Sequence, residues 1–280
     1  MHTITKEDVR RPAVADAFYP GDPSILAKEI DQMLEEANPP TIEGELKALV
    51  CPHAGYMYSG SVAATGYKLL VDKNFSVIAI ISPSHREYFP AVSVFTGKGY
   101  ETPLGLVPVA EELCEKLIEK DSKIMASWSG HRDEHALEVQ LPFLQRVLKD
   151  FAVIPIVMGT QDYDTCVLLG EALADVIKDQ NALIIASSDL SHYHTYTEAV
   201  RIDQHTVNLV ESFDEEELMN SLEKGISEAC GGGPIIATMV ASKKNGANKS
   251  KAILYKNSGD VTGDFTAVVG YLSAAFYKSS

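Results

Sequence analysis

Seven short apolar runs punctuate the chain: Leu46–Cys51, Val77–Ser82, Ala91–Phe95, Ala152–Met158, Ala182–Ser187, Ala252–Tyr255 and Thr266–Tyr271. Several are apolar at every position instead of alternating with polar ones, which is how a strand reads when both of its faces are covered. Longer amphipathic stretches lie between them and predict helices over 24–37, 61–72, 108–120, 134–149, 163–178, 197–211, 214–224 and 234–244. Ser24 is the expected N-cap of the first, and Asn38-Pro39-Pro40 ends it. In the stretch 134–149, Leu137, Leu141, Leu144 and Leu148 recur at spacings of four, three and four, and Pro142 within it predicts either a kink or a later start. No Ser/Gly/Pro-rich linker or internal repeat divides the sequence. Strands alternating with helices predict one α/β domain over 1–280, a three-layer α/β/α sandwich around a mostly parallel or mixed sheet.

Charge narrows the functional classes. The chain has 280 residues with 24 Lys+Arg against 39 Asp+Glu, a formal net charge of −15, so the dense basic face that a nucleic-acid partner needs is missing. The segment Met1 to Arg11 is polar and lacks the apolar core of a signal peptide. The longest uncharged stretch, Leu49 to Tyr67, contains Pro52, His53, Gly55, Gly60, Gly66 and three tyrosines, a composition unsuited to a membrane span. Cys51, Cys114, Cys166 and Cys230 are far apart and form no CxxC pair, which points to free thiols in a reducing cytoplasm.

In an open α/β sheet, functional residues collect beyond the carboxyl ends of the strands. Three predicted strands end in unusual residues: Cys51-Pro52-His53-Ala54-Gly55-Tyr56, Ser82-Pro83-Ser84-His85, and Ser187-Ser188-Asp189-Leu190-Ser191-His192-Tyr193-His194. His53 and His85 lie 32 residues apart, a separation suited to consecutive strands joined by a helix, and two such imidazoles could meet at one metal ion. The plain alternative is that each bonds locally at a loop start. Cys230 precedes Gly231-Gly232-Gly233-Pro234, a turn entering a helix with Pro expected at its first position. A helix amino terminus lowers a thiol's pKa and favours the nucleophilic, metal-binding thiolate, whereas Cys114 and Cys166 sit within helical patterns as small buried hydrophobes. Asp189 lies three residues before His192 and could orient it as a general acid or base, or simply cap a turn.

His131-Arg132-Asp133-Glu134-His135 fits the H-x-x-E-H pattern of inverted zinc proteases. That chemistry needs both histidines on one continuous helix. Trp128-Ser129-Gly130 precede the motif and the apolar period begins only at Leu137, so Asp133 and Glu134 read as first-turn acids and His131 falls outside the helix. His135 is expected to face the same cleft as the other histidines.

Taken together, several segments resemble the Memo family, whose bacterial and archaeal members are similar in fold to the class III (LigB-type) extradiol dioxygenases. The segments are Arg11-Pro12-Ala13-Val14-Ala15 with Phe18-Tyr19-Pro20, Pro52-His53-Ala54-Gly55-Tyr56 with Tyr58-Ser59-Gly60, Pro83-Ser84-His85, Asp133-Glu134-His135 with Leu137 to Phe143, Ser187 to Tyr193, and Cys230 to Pro234. The resemblance implies a non-haem metal site of His53, His85 and Cys230, in which Cys230 takes the place of the dioxygenases' glutamate. A thiolate shifts the expected metal towards copper or a differently tuned iron, with zinc possible for a water-activating hydrolase. His192 takes the position of the acid/base histidine with Asp189 beside it, and His135, Tyr56, Ser84 and Tyr193 are expected in the substrate pocket. The implied activity is oxidoreductase-like on a small molecule. The alternative is a binding module for a peptide or anionic ligand, as in the phosphotyrosine-peptide-binding eukaryotic relatives. Prokaryotic family genes often neighbour radical-SAM and AMMECR-type proteins, which implies a functional link to them.

Overall fold

The computed structural model describes residues 4–279, so residues 1–3 and 280 of the expected span lie outside the described residues. In chain order the first half comprises β1 (Val9–Arg10), α1 (Pro23–Glu36), β2 (Gly44–Cys51), α2 (Tyr56–Lys68), β3 (Val77–Pro83), β4 (Val92–Val94), β5 (Gly99–Thr102), β6 (Gly105–Pro108), α3 (Glu111–Ile118), β7 (Ile124–Ala126) and α4 (Gln140–Val147). The second half comprises β8 (Ala152–Met158), α5 (Tyr163–Ile177), β9 (Ala182–Ser187), β10 (Asp189–His194), α6 (Tyr196–Ser212), α7 (Glu215–Glu223), α8 (Gly232–Lys244), β11 (Lys249–Asn257), α9 (Gly259–Thr262) and β12 (Val268–Ser279).

Nine strands form one mixed sheet in the order β10-β12-β2-β9-β3-β8-β4-β7, with β11 on β12, while β1, β5 and β6 form a small separate sheet. The centre, β2-β9-β3-β8, is parallel, and antiparallel pairs begin at β12 and β4. Alternate residues of these fully buried strands feed two cores. Val77, Ala79 and Ile81 of β3 face the side covered by α3, α5, α6, α7 and α8, and Ile78 and Ile80 face the side of α1, α2 and α4. The expected three-layer α/β/α architecture is therefore present. No helix among the described residues is long and apolar enough to cross a membrane.

Several boundaries depart from the sequence reading. Asp22, not Ser24, caps α1, its side chain accepting from the Ser24 and Ile25 amides at 2.8 and 3.0 Å, with Pro23 in the first turn. The helix expected over 134–149 begins at Gln140, so Pro142 falls in its first turn, where a missing N–H costs no intrahelical bond. The last strand runs on to Ser279.

The least expected element positions the site. β2 stops at Cys51, level with Ser187 of β9, and the Ser188 amide donates to the Cys51 carbonyl. The chain then steps sideways to form β10, which takes over the edge of β12 that β2 has left. Asp189–His194, expected as a loop, is thus an irregular strand with register shifts on either side of His192.

Candidate metal centre

Beyond the ends of β2, β3 and β9 lies a cleft of about 690 Å³ whose lining includes four imidazoles, those of His53, His85, His135 and His192. The ligand atoms of His53, His85 and Cys230 all lie within 4.8 Å of one another, and the rings of His53 and His85 meet edge to face with centroids 5.1 Å apart.

His53 is buried. Its Nε2 is 3.1 Å from Cys230 Sγ and its Nδ1 is 2.9 Å from Ser187 Oγ. Burial, reinforced by the neighbouring His85, lowers its pKa to about 3, so the ring is neutral. His85 sits at the more open side. Its Nδ1 is 2.9 Å from Glu134 Oε1, and its backbone amide donates to the other oxygen of the same carboxylate. Burial opposes ionisation of Glu134, but the bonds and charge from His85, with the Ala136 amide, win and hold its pKa at about 2. An ionised carboxylate only accepts, so His85 Nδ1 carries the proton and Nε2 is left bare for the cleft.

Cys230 reaches this point because Gly231 allows a close approach: a Cβ there would collide with the Ser187 carbonyl. The Gly231 amide donates to Ser188 Oγ, and α8 begins at Gly232, with Pro234 in its third position rather than its first. The expected lowering of the thiol's pKa does not hold. Burial and the nearby Asp189 carboxylate push it up, so the sulfur is a thiol that donates to the bare His53 Nε2.

His192 and Asp189 both line the cleft, but they do not bond to each other. Asp189 Oδ1 accepts from the His53 amide at 2.8 Å, and His192 Nδ1 donates to the Leu190 carbonyl at 2.8 Å. Asp189 therefore anchors the turn that carries His53, and a backbone carbonyl orients His192. His135 lies between the rings of Phe18 and His85, at 4.7 and 4.8 Å, as a wall of the cleft. Tyr193 is at the rim, 77% exposed and in the left-handed region at φ 63°.

Two expected pocket residues are elsewhere. Tyr56 is in the core, its hydroxyl donating to the Val139 carbonyl, and Tyr58, two positions along α2, faces the cleft instead. Ser84 closes a local turn by donating to the Glu87 carbonyl. His131 is buried at 2.5 Å from the Tyr100 hydroxyl, and residues 131–139 form no helix, which removes the inverted-protease reading and with it the first-turn role of Asp133 and Glu134. The sequence reading missed Glu134 as the partner of His85, and missed Phe18, Tyr58 and Arg86 in the lining. A second cavity of about 490 Å³, lined by Cys230, Met219, Leu222, Glu223 and Glu228, adjoins the cleft and shares His192 with it.

The chain matches the family described as Memo-like protein over residues 10–275. It is 43% identical to a MEMO1 family protein of Methanosarcina mazei over 94% of this chain and 97% of the relative. A MEMO1 family protein of Methanopyrus kandleri is 37% identical over 96% of this chain and 99% of its own length. A third, from Aquifex aeolicus, is 37% identical over the same shares, 96% and 99%. With the matched region spanning nearly all of both sheets, the chain belongs to the Memo-like family.

Proposed function

We propose that this protein is a metal-dependent, oxidoreductase-like enzyme acting on a small molecule in the four-histidine cleft. The observation that carries the reading is the convergence of His53, His85 and Cys230 ligand atoms within 4.8 Å. The donor set fits a metal. Two imidazoles are supported through Nδ1, and a sulfur stands beside them, a combination that suits iron, copper or zinc better than magnesium or calcium.

His53, His85 and Cys230 would hold the ion, which when bound would supply Lewis-acid or redox chemistry to a ligand in the cleft. Cys230 must give up its proton to bind, and His53 Nε2, which now accepts it, must turn its lone pair to the ion. His192, with Nδ1 committed to the Leu190 carbonyl, keeps Nε2 free to take or return a proton at the substrate. Phe18, Tyr58 and Tyr271 give the cleft apolar walls that orient the substrate and exclude water.

Metal analysis of protein purified without chelators tests the centre. Wild type is expected to carry iron, copper or zinc near one equivalent, falling below a tenth in His53→Ala and Cys230→Ala. Metal-free wild type, or unchanged content in both variants, overturns the centre. Oxygen uptake with a panel of catechols tests the activity. Turnover abolished by His192→Ala supports an enzyme, whereas silence across the panel together with peptide binding supports a binding module.

A further inference from the structure

The support of His85 is visible at once as a carboxylate, whereas that of His53 contains no charge. Five hydrogen bonds connect its Nδ1 to the groups behind it, and each has one allowed direction. The Pro52 carbonyl can only accept, so the Gln140 group 3.1 Å from it is the amide nitrogen, and that nitrogen also donates to Ser187 Oγ at 2.8 Å. The other end of the Gln140 amide is therefore its oxygen, which accepts from the Tyr67 hydroxyl at 2.6 Å. The Ala136 carbonyl, 2.6 Å from Ser187 Oγ, can only accept, so the one Ser187 proton goes there. Ser187 Oγ then has its proton committed and one lone pair taken by Gln140. The remaining lone pair faces His53 Nδ1 at 2.9 Å and can only be met by an N–H.

We propose that Tyr67, Gln140 and Ser187 form a neutral relay that locks His53 in the tautomer with Nδ1 protonated and Nε2 bare. These are positioning residues. All four side chains are essentially fully buried, at 0–1% exposure, so no solvent offers a reversed link a replacement partner. The opposite tautomer would set the Nδ1 lone pair against that of Ser187 and leave both unpaired. One segment of chain serves both histidines, since Ala136 and Gln140 complete the relay to His53 while Glu134, from the same stretch, holds His85. The consequence for a metal rests on the function proposed above, but the tautomer does not.

Long-range proton–nitrogen spectra of metal-free, 15N-labelled protein at pH 7.5 read the His53 tautomer directly. Wild type is expected to show only the Nδ1–H form, Ser187→Ala a mixture containing the Nε2–H form, Gln140→Leu a smaller admixture and Tyr67→Phe the least. In parallel, zinc titrated against a chelating dye is expected to bind about 10–100-fold more weakly in Ser187→Ala, the usual effect of removing a ligand's supporting partner. A wild-type His53 that is mixed or Nε2–H overturns the relay, as does a Ser187→Ala protein with unchanged tautomer. Should Ser187→Ala fail to fold, Gln140→Leu and Tyr67→Phe take its place, and a pure Nδ1–H form in both overturns the relay. A wild type locked in the Nδ1–H form that binds no zinc, iron or copper sustains the relay and refutes the metal centre. Tight zinc binding with a mixed tautomer does the reverse.

Discussion

His53 and His85 follow the two parallel strands that flank β9 and offer nitrogen to one point, yet the two halves of the site around them are built on opposite principles. His85, open to the cleft, is held by the ionised carboxylate of Glu134, which is in turn saturated by backbone amides. His53, buried to 1% exposure, is held by hydroxyl and amide groups with no net charge. A charge taken out of water needs donors that compensate it, and backbone amides supply them around Glu134 but not around Ser187. The Glu134 carboxylate, itself only 2% exposed, is tolerated because three backbone amides and the His85 ring donate to it, and a neutral relay does the same orienting work behind His53.

The comparison makes acid the strongest probe. Burial lowers His53 to about 3 from an ordinary 6.5, so the unfolded chain takes up that proton first and stability falls as pH drops from 6.5, the loss complete only below about 3. His135, at about 4, and the distant His131, at about 3, act in the same sense. Glu134 works in a lower window: its contribution is whole above 4.5 and disappears as pH falls through about 2. Metal-free protein is therefore expected to lose about 1.4 kcal/mol per pH unit for each buried imidazole between pH 6.5 and 4.5. Urea unfolding at several pH values should show the same slope there in Glu134→Gln, with divergence only below 4.5. A flat wild-type profile over that range would refute the neutral, buried state of the imidazole half.

The carboxylate half also depends on a buried ion pair. Arg10 of β1 pairs with Glu138, and its Nε donates to the His131 carbonyl at 2.8 Å, while the Ala13 and Val14 amides and the Tyr19 hydroxyl donate to Glu138. This network fastens the 131–138 segment that carries Glu134 and His135. Arg10→Ala leaves a buried carboxylate unpaired and is expected to cost about 3–5 kcal/mol in denaturant unfolding. The paired replacement Arg10→Met with Glu138→Leu should recover part of it. A loss below about 1 kcal/mol would mean that the segment is held by its apolar contacts instead.

Glu134→Gln removes the charge behind His85. The amide oxygen can still accept from Nδ1, but the amide nitrogen then faces the His85 backbone N–H and the negative charge that strengthens the imidazole as a ligand is gone, so zinc affinity is expected to fall about 10–100-fold. If the charge itself matters, this loss exceeds that of Gln140→Leu in the neutral half. Equal losses would show that the charge adds nothing beyond the hydrogen-bonded support that each ring loses.

Much of this architecture is legible in the sequence, because fully apolar strands and the histidines that terminate them are local features. The rest depended on where elements start. α2 begins at Tyr56 rather than near 61, since its glycines and tyrosines blur the apolar period, and that start turns Tyr56 into the core and Tyr58 into the cleft. Asp189 and His192 suggested a contacting pair by their spacing of three, which brings side chains together on a helix but not on a strand, and β10 is a strand. The partnership of Glu134 with His85 spans 49 residues and has no periodic signature at all.

The smallest expected effect decides between two ways of filling the site. His85, Glu134 and His135 also bring ligand atoms within 4.8 Å of one another, so His85 belongs to two possible sets. Geometry favours the set with His53 and Cys230, because the Glu134 carboxylate is already occupied by the His85 ring and by the amides of His85, His135 and Ala136. His135 Nδ1 lies 3.2 Å from Glu134 Oε1 but is not aligned for a hydrogen bond, leaving it buried without a partner. Replacing it by an apolar ring of similar shape removes that unpaired group and keeps the packing against Phe18. His135→Phe is therefore expected to change stability by less than about 1 kcal/mol and zinc affinity by no more than about threefold. A loss of metal as deep as that in Cys230→Ala would transfer the centre to the Glu134 side and leave the relay behind His53 to set that ring's tautomer without serving a metal.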